Sequence, residues 1–330
     1  MQGVFHAGAN IAMFTVVTIR SVSPSRPRRR RRPEVDGLVV VRALLSAVST
    51  VSERASGVCA EFAFRHPPRF GATRRELAIL DSGARSWVRG PSGEIAMWRW
   101  GDGPRVLLAH GWGSHAGRLT PFVPRLIAGG FSVTAFDAPG HGESRGRFSS
   151  LPEFVDALTR VARAVRPAGV IGHSMGAAAG ALAIHSGVPA RAAVLIAPPA
   201  DPGAYTLRFA RWLGLSEAAA DVMRRRLERR YAATLEAYRL VERPPGVPTL
   251  ILHDRGDTRV PIADGRALAA AWPAARFVET RGLGHHRILR SPAVLRRASR
   301  FLTANLLAPR ARVARFLKPS VVVPSRAIGG

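Results

Sequence analysis

Short apolar stretches recur along the chain, and helical patterns separate them. The stretches read RVLLAH, FSVTAF, AGVIGH, RAAVLIAPP, PTLILHD and ARFVET, with helical patterns such as Glu153–Val165 and Pro292–Asn305 between them. Strands that alternate with helices predict a parallel sheet with right-handed crossovers. Before them, SWVRG and EIAMWRW flank PSG, which predicts a hairpin. We therefore expect an α/β protein, and 330 residues suffice for one large core.

Other segments depart from this alternation. Residues 1–36 include five consecutive arginines and predict a disordered arm, since such a run cannot be buried. Residues 37–306 then form the main domain, and the basic residues 307–330 predict a loose tail. Within the domain, residues 199–245 carry helical pattern without a strand, which predicts a small helical cap. The apolar stretch from Leu38 to about Ala60 predicts a helix, either packed on the main domain or attached to a membrane surface.

A serine stands between glycines in VIGHSMGAAAG, where a predicted strand meets a predicted helix. On a sharp strand-to-helix turn, side chains at Gly172 and Gly176 would collide, so both positions require glycine. The small residues that follow let the helix lie close to the sheet. Such a turn would expose Ser174 at a helix N-terminus, which favours negative charge on its oxygen. The pattern predicts a nucleophile elbow, with an ordinary loose turn as the alternative.

A serine hydroxyl needs a base, and that base needs an orienting carboxylate. The segment GLGHHRILRSP supplies His285 and His286 after the strand ARFVET. The segment LILHDRGDTRVPI supplies Asp254 and Asp257 after the preceding strand. In open parallel sheets, functional groups gather at the carboxyl ends of strands, where these pairs are expected. The residue pattern alone does not determine which histidine is the base or which aspartate orients it.

The ordered motifs HGWG, DAPGHGES, GHSMG, HDRGDTRVP and GLGHHR resemble the α/β-hydrolase superfamily, in particular its small capped esterase-like members. The resemblance runs from about Trp87 to Leu306. It implies the α/β-hydrolase fold, with a mostly parallel sheet, flanking helices and a short helical cap. It also implies a triad of Ser174 as nucleophile, Asp257 as acid and His285 as base.

The same resemblance implies an oxyanion hole made by the backbone amides of Trp112 and Met175. Three further residues are candidates for substrate contact. His115 follows the oxyanion segment, while Phe209 and Trp212 lie in the predicted cap, where cap core is the alternative reading. No metal or organic cofactor is implied.

Basic residues dominate the charge, with 49 Lys and Arg against 22 Asp and Glu, for a net charge of +27. This excess fits weak electrostatic binding of anionic surfaces through the arm, or a coding bias without function; no obligate nucleic acid is expected. The one cysteine, Cys59, excludes an intramolecular disulfide, fits a reducing compartment and disfavours a zinc–thiolate site. No stretch approaches the ~20 apolar residues that cross a bilayer, so we expect a cytoplasmic protein.

These features predict a serine hydrolase that cleaves a carboxylic ester or thioester of a small molecule, with short to medium acyl chains preferred. Acyl transfer or thioester cleavage on the same triad is one alternative. A non-catalytic protein that binds nucleic acid or membrane on a hydrolase scaffold is the other. The oligomeric state is left open.

Overall fold

The computed structural model describes residues 47–48 and 50–307. The predicted arm, residues 1–36, therefore lies outside the described residues, as does the predicted tail apart from Leu307. None of the described helices is long and apolar enough to cross a membrane.

Eight strands form one sheet in the order β1-β2-β4-β3-β5-β6-β7-β8. The first pairings, β1 with β2 and β2 with β4, are antiparallel, and all others are parallel. The predicted hairpin and mostly parallel sheet are thus confirmed. The strands are β1 Ala84–Gly90, β2 Gly93–Trp100, β3 Arg105–Ala109, β4 Ser132–Phe136, β5 Gly169–His173, β6 Ala192–Ile196, β7 Thr249–Asp254 and β8 Ala275–Thr280.

The central strands β3 to β7 are buried on both faces, because their side chains alternate between two apolar clusters. Along β3, Leu107 and Ala109 join one cluster, whereas Val106 and Leu108 join the other. This explains why the central strands read as continuous apolar runs. The helices are α1 Glu53–Arg65, α2 Arg74–Asp81, α3 Val123–Ala128, α4 Leu151–Val165, α5 Met175–His185, α6 Pro202–Trp212, α7 Glu217–Tyr231, α8 Ile262–Ala271, α9 Gly284–Arg287 and α10 Pro292–Leu306. Short 3₁₀ helices lie at Ala116–Phe122, Leu235–Tyr238 and Ile288–Arg290.

The helix predicted from Leu38 to about Ala60 lies partly outside the described residues, because residues 38–46 and 49 are not among them. Residues 47–48 and 50–51 are helical, but the continuous helix α1 begins at Glu53, after Ser52. The Ser52 hydroxyl oxygen accepts a hydrogen bond from the Ala55 amide at 3.2 Å, which is N-cap behaviour. The helix ends at Arg65, two residues before the Pro67-Pro68 pair, where helical conformation is disfavoured.

Contacts divide the described chain into two compact units. One contains the sheet, and the other combines the described residues up to Phe64 with Thr206–Arg230. In this division α1 falls with part of the cap interval, and the domain bounds expected from the sequence stay a prediction.

Within this helical unit, Gly57 allows close packing, because a Cβ there would lie 2.6 Å from the Ala219 carbonyl oxygen. The Glu61 carboxylate, almost fully buried, pairs with Arg226 and Arg230 at 3.0 Å each. These contacts join helices far apart in sequence.

Candidate active site

Ser174 lies on the predicted elbow, between the last residue of β5 and the first of α5. Its backbone has φ 53° and ψ −121°, a conformation that non-glycine residues rarely adopt and that costs about 1–3 kcal/mol. The Ser174 amide donates to the Ile196 carbonyl at 2.9 Å, which fixes the turn to the neighbouring strand. The side chain stays partly exposed.

The flanking glycines are required by space. A Cβ at Gly172 would lie 2.5 Å from the Gly176 carbonyl oxygen, and one at Gly176 would overlap the carbonyl oxygens of Ala109 and His110. Both contacts are with backbone, which cannot move aside. The geometry therefore agrees with the prediction that this turn requires glycine at positions 172 and 176.

The structure distinguishes the two aspartates. His285 donates from Nδ1 to Asp257 Oδ2 at 2.7 Å, while Asp257 Oδ1 accepts the amides of Arg259 and Val260 at 2.8 and 2.9 Å. Burial raises the pKa of Asp257, but the hydrogen bond and charge of His285, together with those amides, outweigh it and lower the pKa. Asp257 is thus a buried carboxylate that orients His285. The imidazole carries its proton on Nδ1, and its Nε2 can accept a second proton.

Asp254 has a different set of partners. It accepts hydrogen bonds from the Gly256 and Leu283 amides at 3.0 Å and from the Thr280 hydroxyl at 2.8 Å. It therefore fixes the segment that leads to His285. His286 forms no contact with either carboxylate among the described residues; its exposed ring lies 5.1 Å from that of His285.

His173, which precedes the serine, connects the histidine segment to the elbow. Its Nε2 donates to the His285 carbonyl at 2.9 Å, and the two rings lie 4.6 Å apart. Because a carbonyl only accepts, the His173 proton is on Nε2. Burial and the neighbouring His285 lower the pKa of His173 well below 6.5, so the ring is neutral. Among the described residues, Ser174 and His285 form no hydrogen bond with each other.

The HGWG segment lies over the elbow. A Cβ at Gly111 would be 3.1 Å from the Ser174 Cβ, so the loop approaches closely only because this residue is glycine. The Trp112 indole donates to the Ser149 carbonyl at 3.3 Å. Within residues 50–307, neither the backbone amide of Trp112 nor that of Met175 makes a hydrogen bond. The Met175 amide directly follows Ser174 in the chain, and the Trp112 amide follows Gly111, which lies against the serine.

Buried neutral histidines hold this loop. His110 donates from Nδ1 to the Gly111 carbonyl at 2.7 Å and accepts the Ala138 amide at 2.9 Å. His141 donates to the Pro139 carbonyl and accepts the Gly113 amide, both at 2.9 Å. Burial lowers the pKa of each histidine to about 3, so both act as neutral donor–acceptor links. No local sequence pattern could reveal these partners.

The remaining candidates have weaker geometric support. His115 is 3% exposed, and burial lowers its pKa while the charges of Asp137 and Glu76 oppose the shift. A buried position beside two carboxylates favours a structural role over substrate contact. Phe209 packs edge-on against Phe64, with ring centroids 5.3 Å apart, and its ring lies 5.8 Å from that of the half-exposed Trp212. Their part in substrate binding stays a prediction.

No group of three His, Cys, Asp or Glu side chains in the described part of the chain is arranged to hold a metal ion. The arrangement brings together a hydroxyl, an imidazole hydrogen-bonded to a carboxylate, and two backbone amides.

Comparisons with known proteins agree with this fold. A family model described as serine aminopeptidase, S33, matches residues 104–244. A pimeloyl-[acyl-carrier protein] methyl ester esterase of Methylococcus capsulatus is 46% identical over 83 residues, 23% of this chain and 30% of that protein. A monoacylglycerol lipase of Mycolicibacterium smegmatis is 42% identical over 91 residues, 24% of this chain and 32% of that protein. The chain thus matches about a third of the length of these relatives.

A solved structure of the Pyrococcus furiosus esterase Pf2001 superposes with a TM-score of 0.56 at 19% identity and covers 73% of this chain and 98% of that one. At such identity the likeness concerns the fold. The strand order and the structural likeness together show the α/β-hydrolase fold, and the family model agrees with it over residues 104–244.

Proposed function

We propose that the protein is a serine hydrolase that cleaves a carboxylic ester or thioester of a small molecule through an acyl-enzyme. The observation that carries the proposal is the strained Ser174 elbow facing a segment in which Asp257 fixes His285. The matched relatives, an ester esterase and a lipase by name, support ester chemistry.

In the first step, His285 Nε2 removes the Ser174 hydroxyl proton while the serine oxygen attacks the ester carbonyl carbon. The hydrogen bond between a nucleophile and its base often tightens only when the substrate is bound. The carbonyl oxygen gains negative charge and accepts the amides of Trp112 and Met175. One such donor contributes about 3–4 kcal/mol to the transition state.

The tetrahedral intermediate then expels the alcohol, which takes the proton from His285, and the acyl group remains on Ser174. A water molecule attacks this ester after His285 accepts its proton. The acid leaves, and the same proton returns to the serine oxygen. Asp257 stays ionised throughout and stabilises the imidazolium in each half-reaction.

The preference for short to medium acyl chains belongs to this proposal. The cap interval 199–245 is short, and arginines fill much of its later part. Because each buried CH₂ contributes about 0.8 kcal/mol, a pocket that ends early stops gaining affinity early. Specificity constants for p-nitrophenyl esters from acetate to palmitate should reach a maximum before palmitate; a rise through palmitate would contradict the preference.

Labelling with a fluorophosphonate tests the serine mechanism, since the reagent reacts with activated serines. We expect labelling and p-nitrophenyl butyrate hydrolysis in the wild type and the loss of both in Ser174→Ala. The matched control is Ser186→Ala, at the exposed end of α5, which should behave as the wild type. Unchanged turnover in folded Ser174→Ala would contradict the proposal.

A further inference from the structure

A cavity of about 240 Å³ lies next to His285, the proposed base. We call it the arginine pocket. Residues from the two segments that carry Asp257 and His285 form its wall, among them Thr258, Arg259, Leu283, His286 and Arg287. The pocket therefore shares a wall with the triad and belongs wholly to the sheet-bearing unit.

Both pocket arginines, Arg259 and Arg287, are exposed, and neither is paired with a carboxylate in the described part of the chain. Within residues 50–307, the Arg259 side chain forms no hydrogen bond or ion pair, and Arg287 donates only to the Gly282 carbonyl, at 2.9 Å. By contrast, Arg266 pairs with Glu279 at 2.6 Å, and Arg226 with Glu61 at 3.0 Å. The pocket arginines thus keep most of their five N–H donors for an external partner.

The nearby carboxylates cannot serve as that partner. Asp257 is buried and occupied by His285 and two amides, and Asp254 is occupied by Thr280 and backbone amides. Neither carboxylate belongs to the pocket wall. The chain has more than twice as many basic as acidic residues, yet these two cations stand beside the reacting groups rather than on a remote face.

The electrostatics of His286 provide a second indication. Partial desolvation of this side chain lowers its pKa, and the charges of His285, Arg259 and Arg118 lower it further. A neutral imidazole near neutral pH adds a hydrogen-bond donor to the pocket without adding a carboxylate. The wall therefore combines positive charge with several donors, which is the environment that binds carboxylate or phosphate groups.

We propose that the arginine pocket binds an anionic group of the substrate, a carboxylate or a phosphate, so that the preferred esters carry a negative charge close to the scissile bond. This proposal rests on the serine hydrolase function proposed above. Arg259 and Arg287 supply the charge-assisted hydrogen bonds, and His285 links the anion site to the acyl-transfer centre. A neutral ester of equal length would leave these donors to water.

The test compares mono-p-nitrophenyl glutarate with p-nitrophenyl valerate, which have five-carbon acyl groups and differ in the terminal carboxylate. In the wild type, kcat/KM should favour the glutarate ester. The ratio of the two constants should fall about tenfold or more in the double variant Arg259→Gln, Arg287→Gln, as expected for the loss of hydrogen bonds to a charged group. Arg255→Gln removes an exposed arginine outside the pocket and should leave the ratio unchanged.

An equal ratio in wild type and double variant would overturn the proposal, and so would an equal fall in Arg255→Gln, because general charge would then explain it. Calorimetry measures the binding of monomethyl glutarate and of inorganic phosphate to Ser174→Ala, which tests the pocket in the absence of turnover. Phosphate binding with an unchanged ester ratio would mark a site for free anions and overturn the substrate assignment. Failure of all esters to react, with monomethyl glutarate still bound through the arginines, would instead reject the hydrolase proposal alone.

Discussion

Replacement of Asp257 by asparagine should remove nearly all activity, for a reason visible in its hydrogen bonds. Oδ1 accepts two backbone amides, at 2.8 and 2.9 Å, and Oδ2 accepts the His285 Nδ1 proton at 2.7 Å. An asparagine keeps one oxygen, and the two fixed amides select it. Its NH₂ group then faces His285, which must accept at Nδ1 and carry its proton on Nε2. In that tautomer the imidazole cannot take the serine proton.

We expect kcat/KM for p-nitrophenyl acetate to fall about 10⁴-fold, by analogy with other triads, which corresponds to ~5.4 kcal/mol of transition-state stabilisation. The carboxamide fills the same space as the carboxylate, so the circular dichroism spectrum should persist.

Asp254→Asn is the matched control. Asp254 accepts hydrogen bonds from Thr280 and from backbone amides but not from His285, so its loss of activity should be far smaller. Likewise, kcat/KM should fall by several orders of magnitude in His285→Ala and far less in His286→Ala. An Asp257→Asn enzyme within tenfold of the wild type, or a folded Asp254→Asn that loses more activity, would refute the assignment.

Two further predictions concern the scaffold. Gly176→Ala should destabilise the fold by about 3 kcal/mol, because the new methyl group overlaps the carbonyl oxygens of Ala109 and His110. Thermal unfolding measures this loss of stability. The control is Gly71→Ala, where a Cβ would meet nothing within 4 Å. Glu61→Gln should destabilise by about 1–2 kcal/mol at pH 7, since it breaks a pair with Arg226 and Arg230, whose partial exposure screens the effect. Burial raises the pKa of Glu61 but the two arginines lower it below 4.5, so the stabilisation is present above pH 4.5 and lost as the pH falls through the folded-state value. Unfolding free energies of wild type and Glu61→Gln should therefore converge in acid, with the exposed Glu242→Gln as control; a constant difference down to pH 3 would contradict this.

The sheet could be predicted because its central strands bury both faces and read as apolar runs. The elbow could be predicted because Gly172 and Gly176 meet backbone atoms, a requirement that only glycine satisfies. The choice of Asp257 over Asp254, by contrast, came from a family motif. Spacing alone could not make this choice, since Asp254 ends β7 and Asp257 follows three residues later, and only the partners of their oxygens distinguish them.

Contacts between distant segments explain what the sequence did not reveal. The link from His173 to the His285 carbonyl joins residues 112 positions apart, and no local pattern encodes it. The grouping of α1 with residues 206–230 depends likewise on Gly57 and Glu61 meeting partners in α7. A glycine inside a helix and an acid facing an arginine-rich segment are the signals that could have indicated this packing.

The central claim is that catalysis passes through an ester on Ser174, and trapping that ester tests it most directly. The wild type is mixed with p-nitrophenyl butyrate, quenched in acid during turnover, digested and analysed by mass spectrometry. We predict the mass of one butyryl group on the peptide that contains Ser174, and its absence after quenching of Ser174→Ala. A butyryl group on another residue, or steady turnover in Ser174→Ala, would contradict the account.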